Sequence, residues 1–232
     1  MAEAIRVNFG RPMPVFPLPD AVLLPHAIQP LLVFEPRYRK MIDDCLDGAG
    51  QIAVATFAAR SVKSKSQKPS LRPVVCVGQI VQHEALPDGR HNILVQGVCR
   101  AKIMRMIEPE NGRTYRTALL SPLEPAGAHS APMKDIRQQL RQMLKGPRLS
   151  RLRSVDTVMA WFDREDVSTE ALLELIGFAL LKDSELQYRL LAEANPVRRA
   201  GIIKDELASL DGLVARAERQ PYRTWPKGMS WN

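Results

Sequence analysis

The chain has little of what most functional classes require. Its three cysteines, Cys45, Cys76 and Cys99, are odd in number, far apart and without C-x-x-C spacing. They read as buried thiols in a reducing cytoplasm and exclude a disulfide framework. No run approaches the roughly 20 apolar residues of a membrane span, and Met1 to Arg6 lack the apolar core of a signal peptide. The expectation is a soluble cytoplasmic protein without a membrane partner. There is no G-x-x-x-x-G-K-[ST] phosphate loop and no G-x-S-x-G nucleophile elbow. The paired carboxylates, Asp43-Asp44 and Asp163 with Glu165 and Asp166, fall beside helix ends, where helix-terminal charge or plain solvation accounts for them. No residue is therefore assigned as catalytic, no cofactor is expected, and enzyme activity has no support. No repeat of fixed period is present.

A metal site is excluded by distance. Cys76, His83, His91 and Cys99 lie almost symmetrically about residues 86–90, so His83 can face His91 and Cys76 can face Cys99 across a hairpin. The two pairs are seven to eight residues apart along the strands. At ~3.3 Å per residue they are separated by more than roughly 20 Å, ten times a metal–ligand bond. Buried cysteines and surface histidines are the expectation.

What is present is, first, a hairpin at residues 74–103 (VVCVGQIVQHEALPDGRHNILVQGVCRAKI), around which the chain is organised. Leu86-Pro87-Asp88-Gly89-Arg90 is the turn, because proline pre-sets the backbone, aspartate bonds its own loop and glycine tolerates positive φ. From Ile93 the odd positions run Ile93, Val95, Gly97, Cys99, Ala101, Ile103, while the even ones include Asn92, Gln96, Arg100 and Lys102. A period of two buries one face. A straight strand over 92–107 would span roughly 50 Å, beyond the usual strand, so it bends, with Gly97 as the corner.

Before the hairpin, prolines 12, 14, 17, 19, 25 and 30 punctuate an apolar stretch. That density forbids helix and central ladder positions, leaving short or edge strands at 15–18 and 31–34 joined by an ordered loop. Pro36 opens a helix whose apolar face is Tyr38, Met41, Ile42 and Cys45. Residues 51–57 and 115–123 read as further strands. Six or so short strands favour a small closed barrel over residues 12–124. A Gly/Pro-marked linker at 124–132 follows, and the period then changes from two to 3.6. The helical bundle occupies 132–218. Ile136, Leu140, Met143 and Leu144 define one helix, and Val155, Val158, Met159 and Phe162 a second. Residues 168–181, apolar nearly all round, sit at its centre. Ser184 to Gln187 matches a capping box, and Asn195-Pro196 supplies an N-cap and a first-turn proline. Ile203, Leu207, Leu210, Val214 and Ala217 form a packing seam, and 219–232 is an extended tail. The fold class is α+β, strands first and helices second.

Net charge of +8 invites a polyanionic partner. Two runs free of acid carry the charge: Lys63, Lys65, Lys68 and Arg72 in a serine-rich loop at 60–72, and Arg141, Lys145, Arg148, Arg151 and Arg153 around a helix end. Each run reads either as solvated surface or as phosphate-contacting. No aromatic residues interleave the second run, which weakens single-strand stacking as its role.

Three blocks resemble the N-terminal, substrate-binding domain of Lon-type ATP-dependent proteases. They are FPLPD at 16–20 through Pro25 with LLVFEPRY at 31–38; VGQI at 77–80 with LPDG at 86–89; and ILVQGVCRAKI at 93–103. The helical half, through 172–181, 187–191 and Asn195-Pro196-Val197-Arg198-Arg199, is similar to the same family's helical extension, and the likeness covers about 14–213. It implies a PUA-like β-pseudobarrel followed by a helical bundle, used to recognise protein substrates. The ATPase and Ser/Lys peptidase modules have no counterpart in these residues, so a stand-alone, non-enzymatic binding module is expected. Its partner would be a polypeptide substrate or partner protein, held by apolar contact in a groove between barrel and bundle or by a strand added to an open edge. The candidate contacts are Leu23, Leu24, Pro25 and Ile28, then Leu31 and Phe34, all of which could equally be packing. The alternative is RNA binding through the PUA-like barrel and the basic residues Lys63, Lys65, Lys68, Arg72, Arg141, Lys145, Arg148 and Arg151. Oligomeric state stays open.

Overall fold

The computed structural model of the chain describes residues 5–58, 70–110, 112–123 and 133–219. Lys63, Lys65 and Lys68, the linker at 124–132 and the tail beyond Arg219 lie outside the described residues.

Six strands precede the main helices: β1 (Met13–Leu18), β2 (Ile28–Val33), β3 (Gln51–Thr56), β4 (Val74–Ala85), β5 (His91–Ile107) and β6 (Thr117–Pro122), with α1 (Pro36–Leu46) between β2 and β3. The strand order is β2-β5-β4-β3-β1-β6, and β5 also pairs with β6. Five strands therefore close on themselves, and β2 hangs from the first half of β5 as an edge. Five helices follow: α2 (Met133–Leu144), α3 (Val155–Phe162), α4 (Thr169–Leu180), α5 (Ser184–Ala192) and α6 (Pro196–Glu218), with a 3-10 turn at Leu149–Arg151. The architecture is mixed α+β, a closed sheet followed by a helical bundle, with α4 touching α2, α3, α5 and α6.

The prolines shape β1 as composition requires, although the strand is paired on both sides. Met13 and Pro14 pair with β6, and Val15 to Leu18 pair in parallel with β3. Because β1 changes partner midway, each proline lies in a stretch laddered on one side only, which spares a second hydrogen bond.

The long strand bends where glycine permits it. Gly78 pairs with Gly97 but Val77 pairs with Cys99, so Val98 is an extra residue, a bulge beside Gly97. A bulge exchanges the two faces of a strand. Ile93 and Val95 accordingly pack into a large cluster shared with the helices, whereas Cys99, Ala101 and Ile103 join the barrel interior with Val15, Ala53, Ala55, Val75 and Val77. The alternation unbroken in sequence serves two cores. It also turns Arg100, which parity alone assigns to solvent, inward to 1 % exposure.

The bulge shifts the cysteine register too: Cys76 pairs with Arg100 and Cys99 with Val77. His83 and His91 do meet, Nε2 to Nδ1 at 2.8 Å. His91 is buried rather than superficial, its Nε2 3.5 Å from Asp43 Oδ1. The two contacts use opposite nitrogens of one ring, so these groups form a chain and not a chelate.

Helix ends follow local chemistry with one shift. Ser168 Oγ accepts from Ala171 N–H, and Asn195 Oδ1 from Val197 and Arg198 N–H. At α5 the cap is Asp183, whose carboxylate accepts from Leu186 N–H at 2.7 Å, and not Ser184. Gln187 instead donates to Leu181 O. An ionised acceptor at the N-cap gains from the helix dipole as well as the hydrogen bond, so the aspartate takes the position.

Candidate functional site

The loop between β1 and β2 decides which apolar residues face outward. His26 N–H donates to Gly97 O and Gly97 N–H to Ala27 O, both at 2.8 Å, which straps the loop onto the bend of β5. A side chain at residue 97 would meet Leu24 O at 2.1 Å, and one at Gly177 of α4 would meet Leu24 Cδ1 at 3.3 Å. Leu24 is thus wedged between barrel and bundle, with two glycines making room. Leu23, Leu24 and Pro25 are buried and present no surface to a ligand in this conformation. They pack because an apolar loop crossing the junction contributes more by filling it than by standing in water.

That junction is filled further by charge. Arg100 Nη2 meets Glu174 Oε2 of α4 at 2.5 Å, and Arg199 Nε of α6 meets Glu174 Oε1 at 2.9 Å. Arg100 also donates to the carbonyls of Leu190 and Leu191, and Arg199 to those of Glu193 and Ala194. Tyr188 Oη accepts from Val74 N–H. A groove between barrel and bundle, the place the sequence suggested, is closed at these residues by side chains.

The open apolar surface is elsewhere. Alternation along β2 leaves Ile28 50 % and Leu32 45 % exposed, and Phe34, one residue past the strand, 62 %. Leu31 and Val33 point the other way, into the core cluster. Leu32 aligns with Asn92 and Glu84, and Pro30 with Leu94 and Gln82, across β2, β5 and β4. A groove of about 450 Å³ lies on this outer face, lined by Pro30, Leu31, Leu32, Gln82, Glu84, Asn92, Ile93 and Leu94. Of the six apolar candidates the structure brings Ile28, Leu31 and Phe34 to this strand and its end. Leu32, Gln82, Glu84, Asn92 and Leu94 were not among the candidates: an apolar run does not say which of its residues face outward, and strand pairing across elements leaves no local mark in the sequence.

Among the described residues, four of the basic candidates, Arg72, Arg141, Arg148 and Arg151, are ion-paired. Arg141 pairs with Asp163 at 2.5 Å, Arg148 with Asp211 at 3.0 Å and Glu218 at 3.2 Å, and Arg151 with Glu218 at 2.8 Å. Arg72 binds Glu185 and stacks 4.3 Å above the Tyr188 ring. The hydrogen bond from Arg72 holds the Glu185 carboxyl below the usual range. Lys145 is exposed. Acids distant in sequence fold onto both the helical run and Arg72. Among the described residues no group of three His, Cys, Asp or Glu could hold a metal ion, and no helix is long and apolar enough to cross a membrane.

A five-strand closed sheet with an apolar edge strand and a buttressing helical bundle make a mixed α+β architecture. The chain belongs to the family of the ATP-dependent protease La (LON) substrate-binding domain, whose model matches residues 12–209. It is 32 % identical over 220 residues to the Lon protease of Trichlorobacter lovleyi, covering 90 % of this chain and 26 % of that protein. It is 29 % identical over 117 residues to the Lon protease of Haemophilus influenzae, covering 50 % of this chain and 14 % of that protein. The chain thus spans about a quarter or less of these relatives' length. In fold it is similar to the N-terminal domain of a Mycobacterium avium complex Lon protease, with TM-score 0.65 and 18 % identity over 85 % of this chain and 98 % of that one. The Lon N-terminal domain protein of Xanthomonas campestris gives TM-score 0.54 and 21 % identity over the same shares.

Proposed function

We propose that this chain recognises polypeptide, without catalysing a reaction itself, through the outer face of β2, β5 and β4. The observation that carries this is the row of exposed apolar side chains, Ile28, Leu32 and Phe34, beside a groove large enough for a few side chains. Membership of a substrate-binding family supports the reading. In it, the barrel, residues 12–124, makes the contact, and the bundle, 132–218, braces the barrel from behind. Three cysteines without a disulfide suit work in a reducing compartment such as the cytoplasm.

Binding would be apolar at its centre, so it should persist at salt concentrations that remove phosphate contacts. The test is retention of a permanently unfolded polypeptide, reduced and carboxymethylated, by the immobilised chain at physiological salt. Leu32→Asp and Phe34→Ser should each lower retention about tenfold while leaving the circular dichroism spectrum unchanged. Undiminished retention by both variants would overturn the assignment of the face. A salt titration with RNA runs beside it. Steeply salt-dependent RNA binding, together with no retention of unfolded polypeptide, would favour the nucleic-acid reading instead.

A further inference from the structure

We infer that the groove on this face selects short apolar segments that carry a lysine or arginine, and that Glu84 makes the selection. The inference rests on the polypeptide reading above and adds the chemistry of the preferred segment.

The strand edge itself is guarded. The bond from Gly97 N–H to Ala27 O directs odd-numbered carbonyls toward β5, so the alternation of an antiparallel ladder turns the backbone groups of Ile28, Pro30 and Leu32 to the open side. Proline has no N–H, and a proline in mid-edge interrupts any strand laid alongside. A ligand is therefore read by side chains lying over the face.

Over that face the chemistry is asymmetric. Pro30, Leu32 and Leu94 offer apolar contact, Gln82 and Asn92 are neutral, and Glu84 is the only formal charge among the groove-lining residues. The one formal charge lining the groove is therefore negative, on a chain of net charge +8. Asn92 Nδ2 donates to Glu84 Oε2 at 3.1 Å, which holds the carboxylate at the groove with its second oxygen free of any other partner among the described residues. Leu32, Asn92 and Glu84 form one row across three strands. At about 4.8 Å per strand the carboxylate stands roughly 10 Å from the leucine. A side chain seated against Leu32 and Leu94 and a cation one to three residues along an extended segment span that distance. An acidic segment meets like charge and is disfavoured.

The test uses three fluorescent peptides identical except for Lys, Gln or Glu at the position two residues from a central Leu-Phe pair, with fluorescence anisotropy on the full chain. The wild-type chain should bind in the order Lys, Gln, Glu, each step about two- to fivefold, the size of a partly exposed ion pair. The steps should shrink at 0.5 M salt, roughly where screening reaches a few ångströms. Glu84→Gln should abolish the order. Equal binding of the Lys and Glu peptides, or an order that survives Glu84→Gln, overturns the role of Glu84 while leaving the polypeptide reading intact. No binding of any peptide by the wild-type chain removes the polypeptide reading and this inference with it; binding untouched by Leu32→Asp removes the assignment of the face, and this inference with it, while the polypeptide reading stands.

Discussion

At the scale of single residues, the close approach of two backbones at Gly97 places the tightest demand on the chain. A methyl group there would lie 2.1 Å from a carbonyl oxygen and 3.0 Å from Pro25 Cα, both backbone atoms that cannot swing aside. Gly97→Ala should cost about 1–3 kcal/mol or more, as overpacking does, read as a lower urea midpoint at unchanged m-value. Burial acts on the thiols as well. It pushes Cys45 from the ordinary value of 9.0 up to about 12, with Asp44 adding to the shift. The folded chain therefore keeps this proton where the unfolded chain loses it. The stability involved is fully present below about pH 9 and is lost as pH rises toward 12. Unfolding midpoints should fall across that window, and fall less in Cys45→Ala. Alkylation of the native chain at pH 8 should reach half-buried Cys99 first and leave Cys45 and Cys76 unmodified, as peptide mapping would show.

At the scale of elements, α6 and β2 show how local chemistry and surroundings divide the work. Asn195 caps two N–H groups of α6 and Pro196 supplies the first turn. Asn195→Ala should cost about 1–2 kcal/mol in urea unfolding, and Asn195→Asp should restore most of it. The seam along α6 is buried only at Ile203 and Leu207; Leu210 and Val214 are half-buried and Ala217 exposed, because the bundle ends before the helix does. In β2 the same six residues contribute to the core and to the proposed surface, Leu31 and Val33 inward, Ile28 and Leu32 outward. A strand alternates whatever its letters, and the run Leu31-Leu32-Val33-Phe34, apolar throughout, does not say which side is covered. Of the candidate contacts, which could equally have been packing, Leu23-Leu24-Pro25 became the wedge of the junction, and Ile28 and Phe34 stand on the open face.

At the scale of the molecule, barrel and bundle are joined by one apolar cluster running from Phe16 and Leu24 through Cys76 to Leu172, Tyr188 and Ile203. The Arg100–Glu174–Arg199 bridge lies inside this junction, with Glu174 only 2 % exposed. Removing the shared anion leaves two buried guanidinium groups without their carboxylate. Glu174→Gln should therefore destabilise the fold by about 3–5 kcal/mol. A continuous core also predicts joint unfolding. In urea, loss of helical circular dichroism, reporting the bundle, and pulse alkylation of Cys76, reporting the barrel, should share one midpoint. Two separated midpoints would show that the halves are coupled weakly.

The sequence by itself determined the elements and their order: proline density, the Pro-Asp-Gly turn, the switch from period two to 3.6 and the Asn-Pro cap are all local signals whose physics acts within a few residues. It also carried the family likeness, through the turn and the bend at Gly97. The tertiary structure alone decided which faces are covered. One bulge residue, Val98, exchanged the faces of β5 and carried Arg100 from solvent into the core to meet a glutamate 74 residues away. Folding likewise brought Asp163, Asp211 and Glu218 onto basic residues that looked unaccompanied. Burial and ion pairing are properties of the neighbours a residue acquires, and most of those neighbours are far along the chain.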